Sequence, residues 1–269
     1  MSGVDFLARI AADRHRRVAE MAAVTPPHVL RSRILRTEPA GRFERALRRG
    51  GPEGPIRMIC EVKRASPSKG TLNAEVDPVA TAKFYEAGGA AAVSLVTEPD
   101  HFRGDPAWVP LVRPHVKLPL LMKDFVVDSY QVLDAAARGA DAILLLAALL
   151  SETEMQRFLG EARLLGLDAL VEVHDEDELG PALRAGATIV GINNRSLRTF
   201  EVSLEQSIRL LPKLPSHVVA VAESGLSRPE DLARLRATRC DAVLMGEVFM
   251  TAPDPAATLA TLGAAARGA

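Results

Sequence analysis

Five charged side chains stand at the ends of short apolar runs: Glu61 and Lys63, then Lys123, Glu172 and Glu223. Three of them follow an aliphatic residue two places earlier, Leu121 before Lys123, Leu170 before Glu172 and Val221 before Glu223. Residues two apart on a strand share a face. Where those aliphatic residues point into a core, the charged ones must crown it. Charged groups are rarely buried unless paired. A structural salt bridge explains any one of them, but three acids and two lysines at equivalent strand ends read as a site. Carboxylates and ammonium groups in a half-buried mouth suit general acid–base chemistry. Burial lowers a lysine's pKa and raises a glutamate's, pairing opposes both, and such a cluster titrates as a unit.

A second set of residues suits an anion. Gly225 and Gly246 come just after two of the apolar runs, where backbone N–H groups can approach a phosphate. Lys63, Ser66 and Arg195 add charge and hydrogen bonds. Metal chemistry has no such support. The histidines are scattered with no i, i+4 pair and no H-E-x-x-H, so neither a metal nor another cofactor is expected. His174, two residues after Glu172, reads as a rim histidine. Cys60, beside an inward Glu61, should face away from the mouth as plain core.

The elements that hold these residues form a repeat. Apolar runs occur at 56–62, 91–97, 118–123, 142–147, 169–173, 188–193, 218–223 and 242–246, each followed by a helical pattern. Small-residue turns such as Arg138-Gly139-Ala140-Asp141 and Arg184-Ala185-Gly186-Ala187 recur before the strands. Asp77-Pro78, Asp128-Ser129, Ser151-Glu152 and Ser227-Arg228-Pro229 mark helix starts. Eight strands alternating with helices predict a (β/α)8 TIM barrel, whose function sits at the C-terminal strand ends. An open doubly wound sheet would usually carry G-x-G-x-x-G after its first strand, and the chain has none.

We expect one domain over 1–269, with a barrel at 55–269 and a helical extension at 1–54. Phe6, Leu7, Ile10, Val18 and Met21 suggest an amphipathic helix, and 29–35 and 43–48 also look helical. The extension either plugs the barrel floor or covers its mouth. The net charge of -1 gives no reason to expect nucleic acid, and no apolar run is long enough for a membrane span. Two cysteines make no disulfide framework, so a cytoplasmic location is expected. A monomer or a homodimer fits equally.

The strand-end motifs together resemble one family. Glu61-Val62-Lys63-Arg64-Ala65-Ser66-Pro67-Ser68-Lys69-Gly70 is similar to the first-strand signature of indole-3-glycerol-phosphate synthases. Leu121-Met122-Lys123-Asp124-Phe125, Leu170-Val171-Glu172-Val173, Gly191-Ile192-Asn193-Asn194-Arg195 and Ala222-Glu223-Ser224-Gly225 follow in the family's order and spacing. The resemblance implies closure of an indole ring on 1-(2-carboxyphenylamino)-1-deoxyribulose 5-phosphate, with loss of carbon dioxide and water and without cofactor or metal. It implies that Lys123 is the acid at the carbonyl oxygen and Glu172 its charged partner and base. Lys63 would hold the anionic substrate, with acid in the dehydration as a second role. Glu61 would orient the lysines, and Asn193 and Glu223 would position the substrate. Ser66, Arg195, Ser224, Gly225 and Gly246 would hold phosphate, and Ser94 would contact the substrate. Phe102, Phe125, Leu144 and Ile192 would wall the aromatic ring. Glu247 departs from the pattern, standing where some relatives have serine. Its carboxylate would repel phosphate, so it is expected to turn outward and offer only its backbone N–H. Sequence leaves open which lysine serves which proton transfer.

Two other readings compete. Among other phosphate-binding barrels, a phosphoribosylanthranilate isomerase lacks this pattern of two lysines with three glutamates, and a Schiff-base aldolase would use a lysine covalently, which borohydride trapping with substrate would show. A barrel that only binds a metabolite has no need of Lys123 paired with Glu172.

Overall fold

The structure is a computed structural model that describes residues 3–35, 38–196 and 201–268. The Phe6 side chain, expected on the first helix's apolar face, lies outside the described ones. Eight strands of the described residues close one all-parallel barrel: β1 (Arg57–Val62), β2 (Ala92–Val96), β3 (Leu120–Lys123), β4 (Ala142–Leu146), β5 (Asp168–Val173), β6 (Ile189–Asn193), β7 (Val219–Glu223) and β8 (Ala242–Met245). β1 pairs with both β2 and β8, which removes any open edge. Each expected run matches one strand to within two residues at either end. The third starts late because Pro119 has no N–H to give to a ladder.

The connecting helices start as their sequences predict. Asp77 caps α4 (Pro78–Ala87), accepting from the N–H groups of Val79 and Ala80. Asp128 caps α6 (Ser129–Arg138), and Ser151 forms a reciprocal box with Glu154 on α7 (Glu152–Leu164). Gly139 ends α6 in the left-handed conformation that only glycine takes without cost.

Alternation along the strands sorts side chains into two cores. Ile59, Leu121, Leu144, Leu170, Val221 and Leu244 fill the barrel. Cys60, Val62, Met122, Val171, Ile192 and Met245 face the surrounding helices. The inward position of Leu121, Leu170 and Val221 carries Lys123, Glu172 and Glu223 to the mouth.

The N-terminal extension does both of the jobs offered for it, with different helices. In α3 (Arg42–Leu47), Phe43 and Leu47 are fully buried among the barrel-filling residues. The N–H groups of Phe43 and Glu44 donate to Asp168 Oδ2 at 2.8 and 3.0 Å, at the start of β5. This helix is the floor plug. By contrast α1 (Gly3–Val24) reaches the other end: Arg14 pairs with Asp124 at 3.0 Å just past β3, and Arg17 pairs with Asp100 past β2. Between them α2 (Pro27–Arg33) lies against α6.

Candidate active site

The C-terminal strand ends open into a cavity of about 890 Å³. Lys123 Nζ stands among three carboxylates: 3.5 Å from Glu61, 3.7 Å from Glu223 and 3.9 Å from Glu172. Lys63 donates to Glu61 Oε1 at 2.8 Å, and Ser94 Oγ donates to Glu61 Oε2 at 3.2 Å. Asn193 Nδ2 donates to Glu172 Oε1 at 2.9 Å, while Asn193 Oδ1 accepts from the Arg195 N–H at 3.0 Å. All three glutamates are buried.

Two glycines make room for these acids. A Cβ on Gly191 would lie 1.9 Å from Glu223 Oε1, and one on Gly246 would lie 2.7 Å from Glu61 Cβ. Both positions face the barrel interior, where any side chain would displace a carboxylate.

The cluster's electrostatics are uneven. Burial opposes ionisation of Glu61, but Lys63 and Lys123 outweigh it and hold the carboxyl at about 2. Burial likewise opposes charge on Glu172, yet His174 and Lys123 draw it below its ordinary range. Glu223 goes the other way: burial raises it, and repulsion from Glu172 adds to that. Neither Glu223 oxygen has a hydrogen-bond partner among the described residues. Lys123 loses stability as a cation through burial but gains more from its three acids, so it is held above the usual lysine value.

Lys63, Lys123, Glu61, Glu172, Asn193, Ser66, Phe102, Phe125, Leu144, Arg195, Ser224, Gly225, Gly246 and Glu247 all line the cavity. The Phe102 and Phe125 rings pack at 5.9 Å between centroids. Ser66 Oγ is buried on the wall without a hydrogen-bond partner among the described residues, which leaves a hydroxyl for a ligand. Ser224 has φ of 66°, a conformation that costs a non-glycine residue energy, and Gly225 follows at 71°.

Four expectations need correction. Ile192 is not part of the wall; it sits next to inward Asn193 and so faces the helices. Ser94 is fully buried and supports Glu61 instead of lining the cavity. Glu247 does not turn outward, because Arg195 at 3.3 Å and Lys69 at 3.9 Å draw its carboxylate to the cavity. His174 is no free rim residue: its half-buried side chain is held between Glu172 and Glu178.

Sequence reasoning also missed two buried acids on this rim. Glu98 accepts from the N–H groups of Asp100, His101 and Phe102 and so fixes the loop that carries Phe102. Asp124 joins Arg14 and Thr97 beside Lys123. Both are charged residues at strand ends, like the five first noted, and that position was the available signal. The loop after β1 is ordered by a short hairpin, Ala65–Ser66 against Gly70–Thr71, and Arg195 Nη1 donates to Ser68 Oγ in it at 2.9 Å.

Comparison with known proteins gives the family. The family model for indole-3-glycerol phosphate synthase matches residues 7–262. An indole-3-glycerol phosphate synthase from Azoarcus is 44% identical over 261 residues, covering 96% of this chain and 98% of that one. One from Sulfurimonas denitrificans is 47% identical, covering 78% and 80%, and one from Streptomyces coelicolor is 44% identical, covering 92% and 91%. Among solved structures, KGPDC from Streptococcus mutans superposes with a TM-score of 0.62 at 10% identity, covering 80% of this chain and 98% of that one, a likeness of fold alone. The chain belongs to the indole-3-glycerol phosphate synthase family, carboxy-lyases of tryptophan biosynthesis.

Proposed function

We propose that Lys123 is the proton donor for ring closure and that the acids around it divide the remaining work. The observation that carries this is Lys123 Nζ on the cavity wall, within 4 Å of Glu61, Glu172 and Glu223. The substrate, 1-(2-carboxyphenylamino)-1-deoxyribulose 5-phosphate, brings an aromatic ring, a carboxylate and a phosphate. Phe102, Phe125 and Leu144 offer the apolar wall, while Lys63, Ser66, Arg195, Ser224, Gly225 and Gly246 offer the anion contacts.

In the first step the ring carbon bearing the carboxylate bonds to the ketone carbon. The carbonyl electrons move to oxygen, which takes a proton from Lys123. An ammonium held up by the carboxylates of Glu61 and Glu172 is a weak acid, but a developing alkoxide is a far stronger base than either of them. Carbon dioxide then leaves, and its bonding electrons restore the ring. In the last step Glu172 removes a proton from the methylene carbon next to nitrogen, and the hydroxyl departs as water with a proton from Lys63. Two protons are given and one is taken, so one is drawn from solvent, as loss of a carboxylate requires. Glu61, bonded to Lys63 and close to Lys123, orients both. Asn193 holds Glu172, and Glu223 stands 3.7 Å from Lys123 as a largely neutral acid.

Appearance of indole fluorescence when the purified protein meets this substrate tests the reaction. Single-turnover kinetics of Lys123→Ala tests the assignment. Weak binding with a wild-type rate for bound substrate would make Lys123 a binding residue and sink it.

A further inference from the structure

His174 has no part in the scheme above, yet it touches the residue given the base's role. Its ring is wedged between carboxylates from two elements. Nε2 lies 3.2 Å from Glu172 Oε1 at the end of β5, an ion-pair contact without hydrogen-bond alignment. Nδ1 lies 3.2 Å from Glu178 Oε2 on α8 (Glu176–Arg184). The backbone fixes the ring as well. The His174 N–H donates to the same Glu178 oxygen at 2.7 Å, and the His174 carbonyl accepts from Gln206 on α9 (Glu205–Leu210). Asp175 caps α8 by accepting from the Glu178 N–H at 3.0 Å, which sets Glu178 in place.

The charges around Glu172 give this contact a purpose. Glu61 and Glu172 are the ionised acids here, with Glu223 pushed toward its neutral form beside them, and they face two cations, Lys63 and Lys123. Lys63 is committed to Glu61 at 2.8 Å. Lys123 is shared three ways and is 3.9 Å from Glu172. Among the described residues, the nearest cation available to Glu172 is therefore the His174 ring. The remaining groups that bear on Glu172 are Asn193 on β6, Glu223 on β7 and Glu61 on β1, and none supplies positive charge.

We propose that His174 is a positioning residue: a standing imidazolium, braced by Glu178, that keeps Glu172 ionised and leaves its Oε2 turned toward Lys123. Burial works against a charged ring here, but the two carboxylates outweigh it and lift His174 to about 10. At neutral pH the ring then carries both protons and serves as a fixed charge, while the proton transfers stay with Glu172 and the lysines. This role rests on the reading of Glu172 as the base.

The test uses the full chain and two readouts. Ring nitrogen NMR of histidine-labelled protein, with the His174 signals identified by their loss in His174→Asn, should show a doubly protonated ring at pH 8. In Glu178→Gln, whose site is a partly exposed first-turn position, that ring should titrate at least one pH unit lower. The acidic limb of kcat/KM should move up by about 1–2 pH units in His174→Asn, since an opposite charge within 4–6 Å has been removed from Glu172. A purely structural histidine would lower the amount of active protein and leave that limb in place. A limb unmoved in folded His174→Asn, or a wild-type ring already neutral at pH 8, would overturn the proposal. Failure of the base assignment looks different: Glu172→Gln would keep its kcat while His174 remained doubly protonated.

Discussion

Both ends of the barrel carry acids, and they treat them in opposite ways. At the floor, Asp141 accepts from Arg42 at 2.9 Å, Arg113 at 2.6 Å and the Leu120 N–H at 2.8 Å. Asp168 receives two backbone N–H groups of α3, and Asp241 accepts from the Ala220 N–H at 2.9 Å. At the mouth, Glu223 has no hydrogen bond to either oxygen among the described residues, and three glutamates share Lys123 at 3.5–3.9 Å. Fixed donors that saturate a carboxylate stabilise a fold, because a buried polar group left unpaired costs about 1–3 kcal/mol. A carboxylate left partly unpaired costs stability but remains able to exchange protons and to respond to a ligand. The floor is built to stay as it is, and the mouth is built to react.

The largest effect expected from this contrast is kinetic. Lys123→Ala should lower kcat by about 10²–10⁴-fold, the usual contribution of a positioned acid. Substrate affinity, which rests mainly on the anion contacts, should fall much less. A floor residue should behave in the opposite sense. Asp168→Ala orphans the Phe43 and Glu44 N–H groups and should destabilise the protein by about 1–3 kcal/mol with kcat retained. Denaturant melts alongside steady-state assays check both. If Asp168→Ala loses rate and keeps stability, the division between floor and mouth fails.

A third prediction sets stability against function within the mouth itself. Glu223 has its folded pKa raised from 4.5 to about 8. Between those values the folded protein holds a proton that the unfolded chain has released, so stability falls as pH rises. Glu223→Gln cannot ionise and escapes that decline. Its stability should match the parent's near pH 4.5 and exceed it by about 1–3 kcal/mol near pH 8, while its activity drops. Thermal melts across this range decide the matter, and a variant less stable at pH 8 would show that Glu223 is well paired after all.

The barrel and most of the cavity were legible because both depend on local periodicity. The two-residue step from Leu170 to Glu172 and from Val221 to Glu223 fixes which side chains share a face, and the strands bear it out. The same rule, applied to Asn193, would have turned Ile192 outward. What stayed hidden depends on residues far apart in the chain. Arg195 and Lys69 draw Glu247 inward from the loops after β6 and β1. α1 and α3 both carry apolar faces, but only their partners, Asp124 at the mouth and Asp168 at the floor, show that they serve opposite ends. Gly191 reads as an ordinary strand glycine until Glu223 is found in the space its side chain would fill.

Ser94 gives the smallest expected effect and the finest test of where the mouth begins. Sequence placed it among substrate contacts. The strand register sets it beside Glu61, and its hydroxyl donates to Glu61 Oε2 at 3.2 Å beneath the cavity wall. Glu61 Oε1 is already held by Lys63, so the serine governs only the oxygen that faces Lys123. Losing one such hydrogen bond is worth about 0.5–1.5 kcal/mol, or up to roughly tenfold in a rate. In Ser94→Ala the freed carboxylate oxygen should move closer to Lys123 and bind its proton more firmly, so kcat should fall by about two- to tenfold at constant KM. A substrate contact would produce the reverse, a raised KM with kcat unchanged. That outcome would return Ser94 to the binding surface and place the edge of the mouth one layer deeper in the barrel.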